Sequence, residues 1–300
     1  MLNIVKKYAK SSQKKYATFL FFLNLTSLPK FILRYLEMCL NYLRIKFNLK
    51  VHLRSVNMYR DIEQKEDIKK ILLNQIFQFK MNSKKEEPFL ILEIGSLIAD
   101  NIEFIGKILD KKLKHFLIIC IDPYEDYISN SDKKKFSTLK FRSNYTNLLY
   151  KYFLHNISIL KYRKNIVHLR DYSKNGMILL QKLKLKFDFI YIDGAHYYKN
   201  IKEDFMLSKT LIKKNNKYSG AICGDDYTVY KNDYINFNLN KMEFAKLLRK
   251  NINKEFITLK HLKKDGFGST GFHPGITLFF SQIRDNVLKK KSGIWVLDKK

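Results

Sequence analysis

Phe187-Asp188-Phe189-Ile190-Tyr191-Ile192-Asp193-Gly194-Ala195-His196 is an apolar run that ends in an acid and then a histidine. Further along, Gly220-Ala221-Ile222-Cys223-Gly224-Asp225-Asp226-Tyr227 is a second apolar run that ends in two acids. Strands that read as continuous apolar runs are covered on both faces, as in a parallel sheet. Acids just past such strands lie at the carboxyl edge, where open α/β sheets bind ligands. These two segments therefore set both the fold class and the place to look for chemistry.

The neighbouring sequence repeats the pattern. Phe89 to Ile94, Phe116 to Ile121 and Ile166 to Leu169 are further apolar runs. Each is followed by apolar residues at helical spacing: Ile102, Ile105, Ile108 and Leu109, then a long stretch from about Lys133 to His155, then Met177, Leu180 and Leu183. After His196 the helix face is Ile201, Phe205 and Ile212. Alternating strands and helices with right-handed crossovers predict a Rossmann-like, doubly wound three-layer α/β sandwich around a mostly parallel, seven-stranded sheet. Towards the end, Lys241 to Asn251 reads as a helix, Phe256 to Leu262 as a strand and Asp265 to Gly275 as a glycine-rich loop. A helix to about Asn286 and a strand from Ile294 to Leu297 complete the prediction.

Before this domain, residues 1–82 show helical periodicity without a strand; Ile68, Ile71, Leu72, Ile76 and Phe79 mark one face. The polar stretch up to Pro88 separates this basic helical extension from a domain over residues 83–300. Tyr16 to Pro29 is apolar but too short to span a bilayer. Phe31 to Val51 mixes apolar with basic residues. It reads either as a helical layer on the main domain or as a peripheral contact, through residues 1–55, with an anionic membrane.

The formal charge is +29, and lysine supplies nearly all of the cations. An AT-rich coding sequence yields such a composition without any ligand; nucleic acid, anionic lipid and acidic substrates are the functional alternatives. Scarce arginine argues against nucleic acid, since bidentate phosphate and guanine contacts favour it. Cys39, Cys120 and Cys223 form no CxxC pair, which points to free thiols in a reducing compartment, the cytoplasm or the inner face of its membrane.

The turn after the first strand reads Glu93-Ile94-Gly95-Ser96-Leu97-Ile98-Ala99-Asp100. A dinucleotide needs three glycines in GxGxxG, and a P-loop needs its own glycines and lysine; neither is present. An acid at Asp100 would also oppose a phosphate. A cofactor with a ribose and no phosphate, S-adenosyl-L-methionine, fits better, with Asp122 at the end of the second strand placed for the ribose hydroxyls.

With these pieces in hand, the chain resembles the class I S-adenosylmethionine-dependent methyltransferases, in particular the small-molecule and sugar O-methyltransferases of methyltransferase family 24. The resemblance rests on Leu92 to Ser96, Ile121 to Tyr124, Asp171-Tyr172-Ser173, Asp188 to Tyr198, Gly224 to Tyr227, His273-Pro274-Gly275 and the strand at Trp295. It covers about residues 88–300. It implies cofactor contacts from Glu93, Gly95, Ser96, Asp122, Asp171, Tyr172, Ser173 and Asp193. Ala99 departs from the pattern, because relatives usually carry a second glycine there.

Adjacent strands lie about 4.8 Å apart, so Asp193 is expected beside Asp225 and Asp226. Carboxylates that close either share a proton or hold a cation, and oxygen donors suit Mg²⁺ or Ca²⁺. The resemblance implies a divalent ion on Asp193, Asp225 and Asp226; the alternative is that Asp226 caps a turn. His196 has the chemistry of a general base for a hydroxyl, or else merely orders its loop. His273 is a weaker candidate for the same pocket. Tyr197, Tyr198, Tyr227 and Tyr230 are candidates to line it. The expected activity is methyl transfer to a hydroxyl of a small molecule or glycan, with His196 and Asp193 as the catalytic pair. An RNA methyltransferase and a non-catalytic protein of the same fold are the alternatives.

Overall fold

The computed structural model describes residues 30–52, 58–83, 86–124, 139–228, 239–254, 257–258, 271–283, 287–290 and 292–297. Two helices, α1 (Lys30–Lys46) and α2 (Met58–Asn82), lead into the alternating part. That part runs β1 (Phe89–Ile94), α3 (Asp100–Lys112), β2 (Phe116–Ile121), α4 (Leu139–Ser158), β3 (Ile166–Leu169), α5 (Ser173–Lys182), β4 (Phe189–Ile192), α6 (Tyr198–Leu211) and β5 (Ala221–Gly224). It closes with α7 (Lys241–Lys250), β6 (Ile257–Thr258), β7 (Gly271–Phe272), α8 (Pro274–Gln282), β8 (Val287–Lys289) and β9 (Trp295–Leu297).

Seven strands form one sheet in the order β3-β2-β1-β4-β5-β9-β8. The first five are parallel; β9 runs antiparallel to β5, and β8 antiparallel to β9. The expected Rossmann-like architecture is therefore present. Its details differ at the end of the chain. Ile257–Thr258 pairs with Gly271–Phe272 in a separate two-stranded ribbon, outside the main sheet. The seventh strand is instead Val287–Lys289, and α8 stops at Gln282. The start of the long helix expected from Lys133 lies outside the described residues, as does Tyr16 to Pro29. No helix among the described residues is long and apolar enough to cross a membrane.

Side chains alternate across the sheet with the strand period of two. Phe89, Ile91, Ile118, Cys120, Phe189, Tyr191 and Cys223 face one apolar layer. Leu92, Ile94, Ile119, Ile121, Ile190, Ile192 and Ile222 face the other. Ile102, Ile105 and Leu109 of α3 fill the first layer, as do Ile68, Leu72, Ile76 and Phe79 of α2. Met177 of α5, Ile201 and Phe205 of α6 and Ile276 of α8 fill the second. Thus α2, from the N-terminal extension, covers the sheet as an outer helix does. Its Gln75 amide also donates to the Tyr218 hydroxyl at 2.7 Å.

Candidate active site at the carboxyl edge of the sheet

Register decides which residues meet. Ile94 is level with Ile192, and Ile192 with Gly224. The next residues, Gly95, Asp193 and Asp225, therefore emerge side by side at one edge. Gly95 turns at φ +84, and a Cβ there would lie 2.0 Å from the Asp193 carbonyl oxygen. Only glycine permits this turn and this approach. Gly224 is similarly constrained: its Cβ would meet the Ile192 carbonyl oxygen at 2.4 Å and the Trp295 ring at 2.6 Å.

The turn after β1 is organised by Asp122, which is fully buried. One carboxylate oxygen accepts from the Ser96 and Leu97 amides at 2.9 and 3.0 Å, and the other from the Tyr124 amide at 2.9 Å. The acid expected to face a ribose is thus also the staple that shapes the turn. Ala99, at the N-cap of α3, adopts a left-handed conformation (φ 69) and supplies no side-chain cap. Asp100 and Glu103 in the first turn are paired with Lys50, from the segment between α1 and α2. Asn156 of α4 binds that segment to the turn through Val51 and Ile98.

Glu93 points into the layer beneath α3 and is 1% exposed. Burial first, then the nearby Asp122 carboxylate, pushes it well above the usual carboxylate range. Asn101 and Ser96 lie close enough to ease its charge, yet neither Glu93 oxygen accepts a hydrogen bond of normal geometry. Asp171, Tyr172 and Ser173 sit past β3 at the same edge of the sheet. Asp171 accepts from the Tyr172 amide and the Asn175 side chain, and Tyr172 is 56% exposed.

Asp193 is held by the Asn101 amide at 3.1 Å. Burial, then the Asp225 carboxylate, raises it well above the usual range; His196 opposes the rise, and Asp226 and Glu93 add to it. His196 Nε2 lies 3.6 Å from Asp225 Oδ1 and 3.6 Å from Asp226 Oδ2. His273 Nε2 lies 3.3 Å from the same Asp226 oxygen. The two imidazole rings are 4.4 Å apart. His273 reaches His196 because Gly275 lets α8 press on the 196–198 backbone; a Cβ would lie 2.5 Å from the His196 carbonyl oxygen.

The donor atoms gather in two triplets that share His196: Asp193, His196 and Asp225, and His196, Asp226 and His273. The three acids expected to share a cation are therefore divided between the triplets. Asp226 is at φ 59, a left-handed position that acids tolerate better than most residues. This twist turns it from its neighbour Asp225 towards His273.

Tyr198 packs on Phe279 and donates to Gln282, and Tyr227 packs on Phe280, so both touch α8, while Tyr230 lies outside the described residues. The sequence reading also missed Asp204 of α6, which is 2% exposed. Burial above all raises its pKa to about 7, against a hydrogen bond from Ser173 and the nearby His196; Glu203 adds to the rise. Its only signal was a carboxylate between Ile201 and Phe205 on a helix face that otherwise packs inward. Asn101 and Lys50, both polar and unremarkable in sequence, were missed as well.

No family model matches the chain, and no curated protein is similar to it. Solved structures with a related outline include the O-methyltransferase NovP, with 12% identity, 80% of each chain covered and a TM-score of 0.44. The TDP-rhamnose 3'-O-methyltransferase of calicheamicin biosynthesis shares 13% identity over 86% of this chain and 92% of its own, with a TM-score of 0.35. The mycinamycin-pathway methyltransferase MycE, solved with Mg and SAH, shares 12% identity over 72% of this chain and 46% of its own, with a TM-score of 0.32. The fold is Rossmann-like. Likenesses this distant assign no activity, which leaves the chemistry of the site itself to decide the function.

Proposed function

We propose that this protein is an S-adenosylmethionine-dependent O-methyltransferase that acts on a hydroxyl of a small molecule or glycan. The observation that carries the reading is the convergence of His196 on Asp225 and Asp226, 3.6 Å from each, one strand away from the Gly95 turn. The resemblance to methyltransferase family 24 belongs to this proposal.

Gly95 lets its turn pack directly on the Asp193–Gly194 backbone at the carboxyl edge, the edge where an extended cofactor would lie. Gly95, Ser96, Glu93 and Asp193 would border its methionine part, Asp122 its ribose, and Asp171, Tyr172 and Ser173 its adenine. When bound, the cofactor supplies a methyl group on a sulfonium sulfur. For that transfer the acceptor hydroxyl would have to give up its proton, and this chain would supply the base. His196 takes the proton at Nε2. The resulting imidazolium would sit between two carboxylates, which offset its charge. Asp193, positioned by Asn101, orients the acceptor. A divalent cation on Asp193, Asp225 and Asp226 would draw the acceptor hydroxyl towards ionisation.

Calorimetric titration of the full chain with S-adenosylmethionine, with and without Mg²⁺, tests this. One saturable equivalent is expected, and His196→Ala should keep that binding while losing methyl transfer. Absence of binding in both conditions would sink the reading and leave a non-catalytic protein of this fold. Tight, steeply salt-dependent RNA binding would favour the nucleic-acid alternative, to which the charge of +29 lends some weight.

A further inference from the structure

The second triplet, His196, Asp226 and His273, has the spacing of a ligand set. Two donors, each about 2.1 Å from a tetrahedral ion, stand about 3.4 Å apart; around an octahedral ion they stand about 3.0 Å apart. His273 to Asp226 is 3.3 Å and His196 to Asp226 is 3.6 Å. A charge-assisted histidine–carboxylate hydrogen bond would close to about 2.7–2.9 Å. Both contacts are long for that bond and close to the spacing of ligands on one ion. The two rings, with centroids 4.4 Å apart, bring their Nε2 atoms to the same carboxylate oxygen from two different elements.

The backbone fixes this meeting. Gly275 holds α8 against the loop that carries His196, and the left-handed Asp226 turns its carboxylate to both rings. The site is enclosed, with the three side chains only 12–18% exposed. Asp225 Oδ1 lies 3.6 Å from His196 Nε2 and accepts no hydrogen bond, so a fourth donor is at hand.

Two imidazoles and one carboxylate are a borderline donor set. Magnesium and calcium prefer oxygen, whereas imidazole suits zinc and its first-row neighbours. We propose that His196, Asp226 and His273 form a site for a first-row transition cation of the Zn²⁺ or Co²⁺ class. It shares Asp226, and Asp225 at its border, with the oxygen-only set of Asp193, Asp225 and Asp226, and differs from it in its two imidazoles. The nitrogen lone pair that binds the ion is the one that would take a proton. On the methyltransferase reading, such an ion therefore inhibits transfer where Mg²⁺ does not.

The test is titration of the chelator-treated full chain with Co²⁺, followed by visible absorption. One equivalent is expected to give the intense bands of a low-coordinate, imidazole-bound ion, and Zn²⁺ should displace it while excess Mg²⁺ does not. His273→Gln, which keeps the shape of the side chain, should weaken Co²⁺ binding by about 100-fold or more. Asp193→Asn should leave the bands unchanged. Thermal unfolding of both variants checks that they fold. Weak octahedral bands unaltered by His273→Gln would overturn the proposal, as would displacement of Co²⁺ by Mg²⁺ at comparable concentration. Metal binding is read without the methyl donor. Intact Co²⁺ binding with no S-adenosylmethionine binding would therefore sink only the methyltransferase reading.

Discussion

Strand β4 has an aspartate at each end, Asp188 buried and Asp193 partly buried, and the two live in opposite surroundings. Asp188, at the amino end, accepts from the Leu90 amide at 2.7 Å and the Tyr218 hydroxyl at 3.0 Å, with the Lys213 ammonium 3.6 Å away. Burial still raises its pKa, but amide, ammonium and hydroxyl all oppose the rise. Asp193, at the carboxyl end, accepts from the Asn101 amide and has His196 near, but the Asp225, Asp226 and Glu93 carboxyls crowd it. One end of the strand is arranged to satisfy its charge. The other crowds like charges together, a standing cost that stability does not require and that proton or cation chemistry can use. Backbone strain leans the same way: among the described residues Leu97, Ala99, Tyr124 and Asp226 are at positive φ at the carboxyl edge, against Lys184 ahead of β4 and Asn48 between the first two helices.

The largest effect should come from removing each acid in turn. Asp188→Ala leaves the Leu90 amide and the Tyr218 hydroxyl without their acceptor, while Lys213 keeps Glu87, and should lower unfolding free energy by about 2–4 kcal/mol. Asp193→Ala removes a carboxyl whose charged form burial and its acidic neighbours disfavour, at the loss of one amide contact, and should cost less than about 1 kcal/mol, or stabilise. Denaturant unfolding of the two variants at neutral pH measures the difference. Equal losses would mean that the two ends are not distinct in kind.

Asp204 sharpens the comparison, because it is another buried acid, with the Ser173 hydroxyl as its partner and His196 near. Its folded pKa, about 7, stands above its ordinary value of 3.8. The native protein thus holds a proton that the unfolded chain releases. The stability this provides is fully present below about pH 4 and is lost as pH rises through 7. Asp204→Asn should remove that slope and gain roughly 2–4 kcal/mol at pH 8, because each tenfold change in proton affinity is worth about 1.4 kcal/mol. Unfolding curves at pH 5 and pH 8 decide it. An unchanged slope in the variant would place the pH dependence elsewhere.

These contrasts also mark what the sequence could disclose. The five parallel strands were legible because each is a short, mostly apolar run between helix-spaced segments, broken only by Glu93 in β1 and His168 in β3. The acids past β4 and β5 followed from strand adjacency alone. Strand β8 was not legible: three residues at a sheet edge, with Leu288 half exposed, carry no pattern. Phe256 to Leu262 had the composition of a core strand, but its described residues pair with Gly271–Phe272 beside the sheet. His273 was visible only as a weak candidate, because nothing local announces that Gly275 will press α8 onto the His196 loop. The division of the three acids was hidden too, since it depends on the backbone twist at Asp226. Asp188 and Asp193 look alike in the sequence; their difference lies in partners drawn from other elements.

Ala99 offers the smallest and most discriminating test of strain at the carboxyl edge. A left-handed alanine costs about 1–2 kcal/mol, which glycine would relieve. Against this stand about 0.8 kcal/mol for the buried methyl and about 0.4–1 kcal/mol for the freer unfolded chain. Ala99→Gly should therefore change stability by less than about 1 kcal/mol in urea unfolding, while loosening the turn between Gly95 and α3. A loss above about 2 kcal/mol would show that the methyl, 1% exposed among core side chains, is held for packing rather than tolerated as strain. A near-neutral result with altered S-adenosylmethionine affinity would instead tie the strained turn to the ligand, because packing alone would not move binding without moving stability.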